Sequence, residues 1–447
     1  MKPSVSFKTV GCRLNQAETA TMASHFEAAG YATAPFGTPC DVTVIHGCAI
    51  TGKAEHSSLY AARQAKRTRP DTLVILAGCP AETLGETLRG DATVDLTIGQ
   101  SGKFAIPELL HRLHPHRFPA AGGSGAMDST PRFDTQRALI KVQDGCDFHC
   151  AYCIVPTARG IPRSRPMSKV LEEVQRVTAA GFREIILTGA NLGRYEDGPR
   201  RLADLVREVE FIPAVERIRL SSIEITTAED AIIEQMSRST KLCQFLHIPL
   251  QSGDDGILAA MGRRYDTDTF RRTVVMAVEK MPFLGLGTDI IVGFPGENDR
   301  AFENTVKLVR DLPFSNLHVF PYSRRSGTRA DTLPGQVQES VKKERLHALV
   351  EISDSKRQLF AERFIGQTVS VLIERVSADG TGHGWTGEYL EAQVTAAALS
   401  PRQIVTMKVD KVDLRKGSGF GVQGSVPTAL PGRRLHTAGA GLGRLAD

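Results

Sequence analysis

The sequence predicts an α/β protein in three parts: an N-terminal parallel sheet, a central open partial barrel of six strand–helix units, and a small C-terminal β-barrel. Three observations predict it. Within the first 115 residues one unit occurs three times, an apolar run that ends in Gly-Cys and passes into a helical pattern. From residue 133 onward strand and helix patterns alternate through six further units. After Gly366 the apolar period shortens to two, as in half-buried strands.

In chain order, residues 4–10 read as a strand ending at Gly11-Cys12, residues 42–46 as one ending at Gly47-Cys48, and residues 73–77 as one ending at Gly78-Cys79. Leu14, Ala17, Met22 and Phe26 keep a helical face until Gly30, and Thr51 is placed to cap a second helix running to about Arg67. In parallel sheets built this way ligands gather beyond the carboxyl ends of the strands, so the three cysteines converge on one edge. Residues 1–115 form this unit, and the Pro-, Gly- and Ala-rich residues 116–132 read as a linker.

The central unit spans 133–365, with strands at 138–142, 184–188, 217–221, 245–250, 287–292 and 317–321. Val170, Leu171, Val174 and Val177 mark the helix between the first two, and Gly181 ends it. A flat doubly wound sheet fits the same pattern, and periodicity does not separate it from a partial barrel. Residues 342–364 read as a charged helix, and strands at 368–374, 388–394 and 404–412 give a β module over 366–417. The Gly- and Ala-rich stretch 418–447 has no periodicity and is expected to be disordered.

Hydrophobic residues make up 41% of the 447 positions and charged residues 23%, which excludes global disorder and a collagen-like fibre. No run approaches the ~18 apolar residues of a membrane span. Residues 1–7 carry no apolar signal core, so a cytoplasmic location is expected. The net charge of +5 tolerates a polyanionic partner without demanding one. Eight cysteines in such a chain argue for metal binding or catalysis, not a disulfide framework.

The strongest signal is Gly145-Cys146-Asp147-Phe148-His149-Cys150-Ala151-Tyr152-Cys153, a C-x3-C-x2-C pattern after the first central strand. Three thiolates in eight residues can hold one face of an iron–sulfur cube, which ordinarily takes four cysteines. With no fourth nearby, one iron stays open to an outside ligand. The competing reading is zinc held by the three cysteines and His149, although zinc motifs more often pair C-x2-C units across a longer spacer.

With the aromatic Tyr152 before its last cysteine, this pattern resembles the signature of radical S-adenosylmethionine enzymes. Val10-Gly11-Cys12-Arg13-Leu14-Asn15-Gln16-Ala17-Glu18-Thr19, Gly47-Cys48-Ala49-Ile50-Thr51 and Ala77-Gly78-Cys79 resemble the three cysteine blocks of the methylthiotransferases within that family. Ser164-Arg165-Pro166, Leu187-Thr188-Gly189, Leu220-Ser221-Ser222-Ile223-Glu224, His247-Ile248-Pro249-Leu250-Gln251-Ser252-Gly253 and Gly293-Phe294-Pro295-Gly296-Glu297 continue the likeness through the central unit. The Asn-Gln-x-Glu-Thr block is most similar to the branch acting on N6-threonylcarbamoyladenosine at tRNA position 37. Related branches act on isopentenyladenosine in tRNA or on an aspartate of ribosomal protein S12.

The resemblance implies two [4Fe-4S] clusters, one on Cys146, Cys150 and Cys153 that binds S-adenosylmethionine, and one on Cys12, Cys48 and Cys79. It implies methylthiolation of adenine C2, whose unactivated C–H calls for cofactor-borne radical chemistry. It implies a TRAM-like C-terminal barrel, the tRNA anticodon stem-loop as partner, and reducing-electron and sulfur donors. Tyr152, Gly189, Ser222, Glu224, Gln251 and Gly293 are the candidate S-adenosylmethionine contacts; each also reads as an ordinary turn or capped polar residue. Arg159, Arg163, Arg165, Arg263, Arg264, Arg324 and Arg325, with Arg329, are candidate phosphate contacts on loops after strands. His247 reads as structural, and Cys40 and Cys243 as incidental small apolar residues. A non-catalytic iron–sulfur or zinc protein that binds RNA and senses redox state is the alternative from another class.

Overall fold

The computed structural model describes residues 2–85, 88, 91–120, 130–415 and 419–426. The N-terminal part contains β1 (Ser4–Thr9), α1 (Arg13–Ala28), β2 (Ala32–Ala34), β3 (Val42–Gly47), α2 (Gly52–Thr68), β4 (Leu73–Gly78), α3 (Cys79–Leu84), β5 (Leu96–Ile98) and α4 (Ile106–Leu113). Its strands are parallel in the order β2-β1-β3-β4-β5. This doubly wound order reverses direction between β1 and β3, the place where such sheets open a ligand crevice. One face of the sheet buries Val5, Val42, Val44 and Ile75 against Met22 and Phe26 of α1. The other packs Ile45, Val74 and Leu76 on Ala61, Ala62 and Ala65 of α2. Phe118 belongs to the first of these cores, so the unit runs further than residue 115, while 121–129 of the expected linker lie outside the described residues.

The central part continues with β6 (Ala138–Lys141), β7 (Gln143–Asp144), α5 (Val155–Arg159), β8 (Arg163–Ser164), α6 (Met167–Ala179), β9 (Glu184–Thr188), β10 (Glu196–Asp197), β11 (Arg200–Arg201), α7 (Leu202–Glu210), β12 (Arg217–Leu220), α8 (Asp230–Arg238), β13 (Phe245–His247), α9 (Asp255–Met261), α10 (Thr267–Lys280), β14 (Gly285–Val292), α11 (Asp299–Asp311), β15 (Asn316–Pro321) and α12 (Glu339–Glu362). Two parallel three-stranded sheets, β6-β9-β12 and β13-β14-β15, meet where Cys243 N donates to Ile218 O at 2.8 Å. Neighbours in space are neighbours in sequence, so every crossover steps the same way. That is the winding of a barrel, and the flat alternative is set aside. Among the described residues β15 does not pair with β6, so the barrel stays open. Alternate residues of each strand, such as Leu286, Ile290 and Val292 of β14, pack outward on the helices in one large core.

The C-terminal part is a closed barrel of β16 (Thr368–Val376), β17 (Gly382–Thr386), β18 (Glu391–Thr395), β19 (Ile404–Arg415) and β20 (Gly419–Ser425) in the order β16-β17-β18-β20-β19. Two strands correct the sequence reading. β17 runs over Gly-His-Gly-Trp-Thr, and β20 falls inside the stretch expected to be disordered. In both, glycine marks close strand approach, not disorder. A Cβ on Gly384 would lie 1.7 Å from Leu372 O, and one on Gly424 1.9 Å from Lys408 O. The rest of the expected tail, 427–447, lies outside the described residues.

This module seats against the amino ends of the central strands. Arg219, fully buried, donates to the Thr386 and Gly387 carbonyls and pairs with Glu184. Arg217 pairs with Glu184 and donates to Ser370 O and Trp385 O. The ring of Tyr389 stacks between Phe245 and Trp385, each 4.7 Å away centre to centre. Gly285 leaves room for Glu388 O, which a Cβ there would approach to 2.3 Å. The turn between β17 and β18 therefore plugs the lower end of the barrel.

Candidate active site

The first cysteine triad sits at the carboxyl ends of β1, β3 and β4. Gly11 has φ +112°, and a Cβ there would lie 2.5 Å from Cys48 Cβ and 3.0 Å from its Sγ. Glycine is thus required for the Cys12 turn to approach Cys48. Cys12 occupies the N-cap of α1 and is exposed, whereas Cys48 and Cys79 are buried. Gln100 Nε2 donates to Cys79 Sγ at 3.3 Å. Burial pushes the Cys48 thiol up to about 12 and raises Cys79 as well. Such sulfurs become thiolates when a bound metal supplies the compensating charge.

The second triad lies on the loop after β7, with Cys153 just before α5. Gly145 (φ +73°) lets the loop turn against the segment between α5 and β8, because a Cβ there would lie 2.0 Å from Ile161 O. Phe148 N points at Cys146 Sγ (3.4 Å), Val155 N at Cys153 Sγ (3.5 Å) and Arg263 Nη1 at Cys150 Sγ (3.3 Å). Asn191 Nδ2 lies 3.9 Å from Cys146 Sγ. Donors aimed at each sulfur are what a metal-bound thiolate calls for. Burial pushes Cys153 up to about 12.

A short helix and one buried carboxylate join the two triads. Cys79 packs with Ala49 against Ala158 of α5 and Ile154 just before it. At the end of that helix, Arg159 donates to Asn15 Oδ1 (2.6 Å), to both oxygens of Glu18 (3.1 and 3.2 Å) and to Asp144 Oδ1 (2.9 Å). Asn15 in turn donates to Val10 O and Gly47 O, pinning the backbone just ahead of Cys12 and Cys48. Glu18, wholly buried, also takes Lys103 Nζ (2.7 Å) and Lys141 Nζ (2.6 Å). Burial opposes its charge, yet these cations hold the carboxyl well below the usual range. His46, fully buried 3.5 Å from Glu18, is pushed down to about 3 by desolvation and stays neutral.

Of the residues singled out as S-adenosylmethionine contacts, Tyr152 and Glu224 come together beside the second triad. Arg263 pairs with Glu224 and lies 3.4 Å from Tyr152 Oη. Burial raises the Glu224 carboxyl against the pull of that guanidinium. Ser222 is exposed past the end of β12, and Gln251 is buried at φ +68° with its backbone bridged to β14. Gly189 and Gly293 make room for the protein's own side chains. A Cβ at Gly189 would lie 2.9 Å from Gln143 Oε1, which accepts from Asn191 N, and one at Gly293 would lie 2.3 Å from Lys342 Cγ.

The arginines divide. Arg159 and Arg263 are spent on the buried carboxylates described above, and Arg325 on Glu55 of the N-terminal part. Arg165 pairs with Glu173 and Arg324 with Asp331. Arg163 is exposed, and the exposed Arg264 lies over Phe148 at 5.0 Å. The sequence reading held Asn15 and Glu18 only as part of a family-like block, with no role in the site, and missed Lys103, Lys141 and Asp144. One signal was present: Leu14, Glu18 and Met22 recur every four residues, which places a carboxylate on an apolar stripe.

Among the described residues, one trio of His, Cys, Asp or Glu ligand atoms lies wholly within 4.8 Å, and it is neither cysteine triad. Three thiolates on one tetrahedral zinc stand roughly 3.8 Å apart, from Zn–S bonds of about 2.3 Å. Neither cysteine triad closes to that spacing, so a single tetrahedral zinc does not fit them, whereas an iron–sulfur cluster takes each thiolate at a separate iron. No described helix is long and apolar enough to cross a membrane.

Comparison with known proteins agrees with this geometry. Residues 140–309 match the radical SAM superfamily model, and residues 4–99 match the model described as uncharacterized protein family UPF0004. The threonylcarbamoyladenosine tRNA methylthiotransferase MtaB of Bacillus subtilis is 33% identical over 91% of this chain and 94% of its own length. The MtaB of Thermotoga maritima is 33% identical over 92% and 98%. A tRNA-2-methylthio-N(6)-dimethylallyladenosine synthase of Acetivibrio thermocellus is 34% identical over 83% and 80%. The radical S-adenosylmethionine methyltransferase TsrM of Kitasatospora setae, solved with cobalamin and a [4Fe-4S] cluster, shares the fold at TM-score 0.55 and 12% identity, over 74% of this chain and 77% of its own. With two spaced cysteine triads in place and relatives matched along nearly its whole length, the chain belongs to the radical S-adenosylmethionine methylthiotransferases, enzymes of tRNA modification that work with a [4Fe-4S] cluster and S-adenosylmethionine.

Proposed function

We propose that this enzyme adds a methylthio group to C2 of N6-threonylcarbamoyladenosine at position 37 of tRNA, using one cluster on each cysteine triad. The observation that carries the reading is the joining of the two triads through α5, Arg159, Asn15 and Glu18, together with the name borne by the relatives matched over 91% and 92% of the chain. When bound, the second-triad cluster and S-adenosylmethionine supply the radical chemistry that an unactivated aromatic C–H requires. The protein's own residues hold geometry and charge. Arg263 sets the charge beside Cys150 and holds Tyr152 and Glu224, which would contact S-adenosylmethionine. The plug around Tyr389 closes the lower end of the barrel against water, and Arg13, next to Cys12, donates to its hydroxyl. Exposed Arg163 and Arg264 flank the second triad and are the phosphate contacts this reading favours. Replacing Arg163 by Ala then lowers the salt slope of anticodon stem-loop binding by about one. A low-potential electron donor and a sulfur donor complete the cycle, in the cytoplasm where tRNA is matured.

The test is anaerobic turnover on anticodon stem-loops carrying either modified adenosine, read by nucleoside mass spectrometry. The expected product is 2-methylthio-N6-threonylcarbamoyladenosine. A product from the dimethylallyl substrate alone, or from ribosomal protein S12, overturns the substrate assignment while leaving the reaction class standing.

A further inference from the structure

Away from both cysteine triads, three ligand-type side chains converge inside the central barrel. His247 ends β13, Asp289 lies within β14 and His318 within β15. The register brings them together. His247 pairs with Gly287 and Asp289 with His318, so in these parallel strands all three side chains emerge on one face. It is the inner face, since the flanking Ile290 packs outward in the helix-side core. Gly287 lets the His247 ring lie flat along the strand, for a Cβ there would sit 2.7 Å from His247 Nδ1. That pose turns His247 Nε2 to within 3.0 Å of Asp289 Oδ1, and His318 Nδ1 lies 3.4 Å from the same oxygen. The three ligand atoms all fall within 4.8 Å of one another, and the two rings are 5.1 Å apart.

We propose that His247, Asp289 and His318 form a mononuclear site for a divalent zinc-class cation, separate from both clusters, with one coordination position open to the barrel lumen. Four features support it. Two imidazoles and a carboxylate are the donor set of an open zinc site, and nitrogen ligands disfavour magnesium and calcium. Among the described residues no lysine or arginine nitrogen lies within 4.0 Å of Asp289, so its charge faces only imidazoles. Side-chain exposure rises from 8% at His247 through 26% at Asp289 to 49% at His318, which gives an entry path past the open edge at β15. The spacing is tight enough for a single ion, which neither cysteine triad achieves.

The test uses the anaerobically purified holoprotein, clusters in place, equilibrated with zinc chloride and desalted. Zinc per chain is counted by mass spectrometry, and its ligands are read at the zinc absorption edge, where iron does not interfere. The expected result is one bound zinc with nitrogen and oxygen neighbours at about 2.0–2.2 Å. Asp289→Asn and His318→Ala each weaken binding at least tenfold while iron content and melting temperature hold. His318 is half exposed, so its variant keeps the test valid should Asp289→Asn fail to fold. A sulfur shell at about 2.3 Å, no retained zinc, or uptake unchanged in the His318 variant overturns the proposal.

Discussion

Replacing Glu18 by Gln removes the charge on which the interface of the two cysteine-bearing parts is built. The carboxylate stands 2.6 to 3.1 Å from Lys141, Lys103 and Arg159. Without it Lys141 and Arg159 keep Asp144 as an anion, while Lys103, 1% exposed, keeps only Gln100 as a side-chain partner among the described residues. Breaking a buried ion pair this way costs about 3–5 kcal/mol. For a cooperative unit of this size that lowers the melting temperature by roughly 10 °C, at about 2–4 °C per kcal/mol. Anaerobic scanning calorimetry reads it directly. The pH dependence gives a sharper check. Burial pushes the Lys103 amine down to about 8, and Glu18 is the strongest group holding it up. In the variant Lys103 loses its proton nearer neutrality. Its folded pKa then lies further below the unfolded value of about 10.4, so the folded state binds fewer protons than the unfolded one. Stability therefore rises with pH over a window that starts lower than in the parent, and the gap between the two proteins narrows from pH 7 to pH 9. A variant melting within about 2 °C of the parent, or a gap indifferent to pH, refutes the reasoning.

Three further outcomes follow from single contacts. Gly11→Ala drives a methyl into Cys48 at a backbone angle that side chains avoid, so iron falls from about eight to about four per chain while the spectrum of the second-triad cluster persists; full iron content would contradict the account. Arg263→Met removes a cation and a donor beside Cys150, which makes adding an electron harder; potentiometric titration should shift negative, on the order of tens of millivolts, and a positive shift would sink the charge argument. Arg219→Met leaves Glu184, whose carboxyl is held down to about 2 by Arg217 and Arg219 against burial, half-paired and frees the Thr386 and Gly387 carbonyls. The C-terminal barrel should then undock, exposing the chain near Gly366 to limited proteolysis; unchanged protection refutes the plug.

The parts of this molecule that were legible in the sequence are those written locally. Gly-Cys at a strand end is a local statement, and three of them placed the first triad on one sheet edge. The C-x3-C-x2-C loop is equally local. The arginines were not legible, because the partner that decides an arginine's fate lies far along the chain. Arg159 meets Glu18 across 141 positions and Arg325 meets Glu55 across 270. Charge and loop position alone predict phosphate contacts, and burial reassigns both residues to holding the N-terminal and central parts together. β17 and β20 were hidden for a related reason: glycines that lower strand propensity are what allow a small barrel to close. His247 illustrates the same limit. Read alone it is a core histidine, and only the register of β14 and β15 brings Asp289 and His318 to it.

The two cysteine triads are held in different ways, one by a sheet and the other by a loop. The first triad takes its cysteines from just past the carboxyl ends of β1, β3 and β4, neighbouring strands whose backbones run about 4.8 Å apart. That arrangement fixes its ligands through three separate strands and depends on the whole sheet. The second triad hangs on one loop and depends instead on the braces around it, Gln143, Asn191 and Arg263. α5 is where the two designs meet, with Cys153 before it, Cys79 packed on its side and Arg159 at its end. A five-residue helix offers little room for relative motion. On the proposed function the nucleoside is brought between the two triads, and loosening Glu18 should then cost coupling between them before it costs metal binding at either.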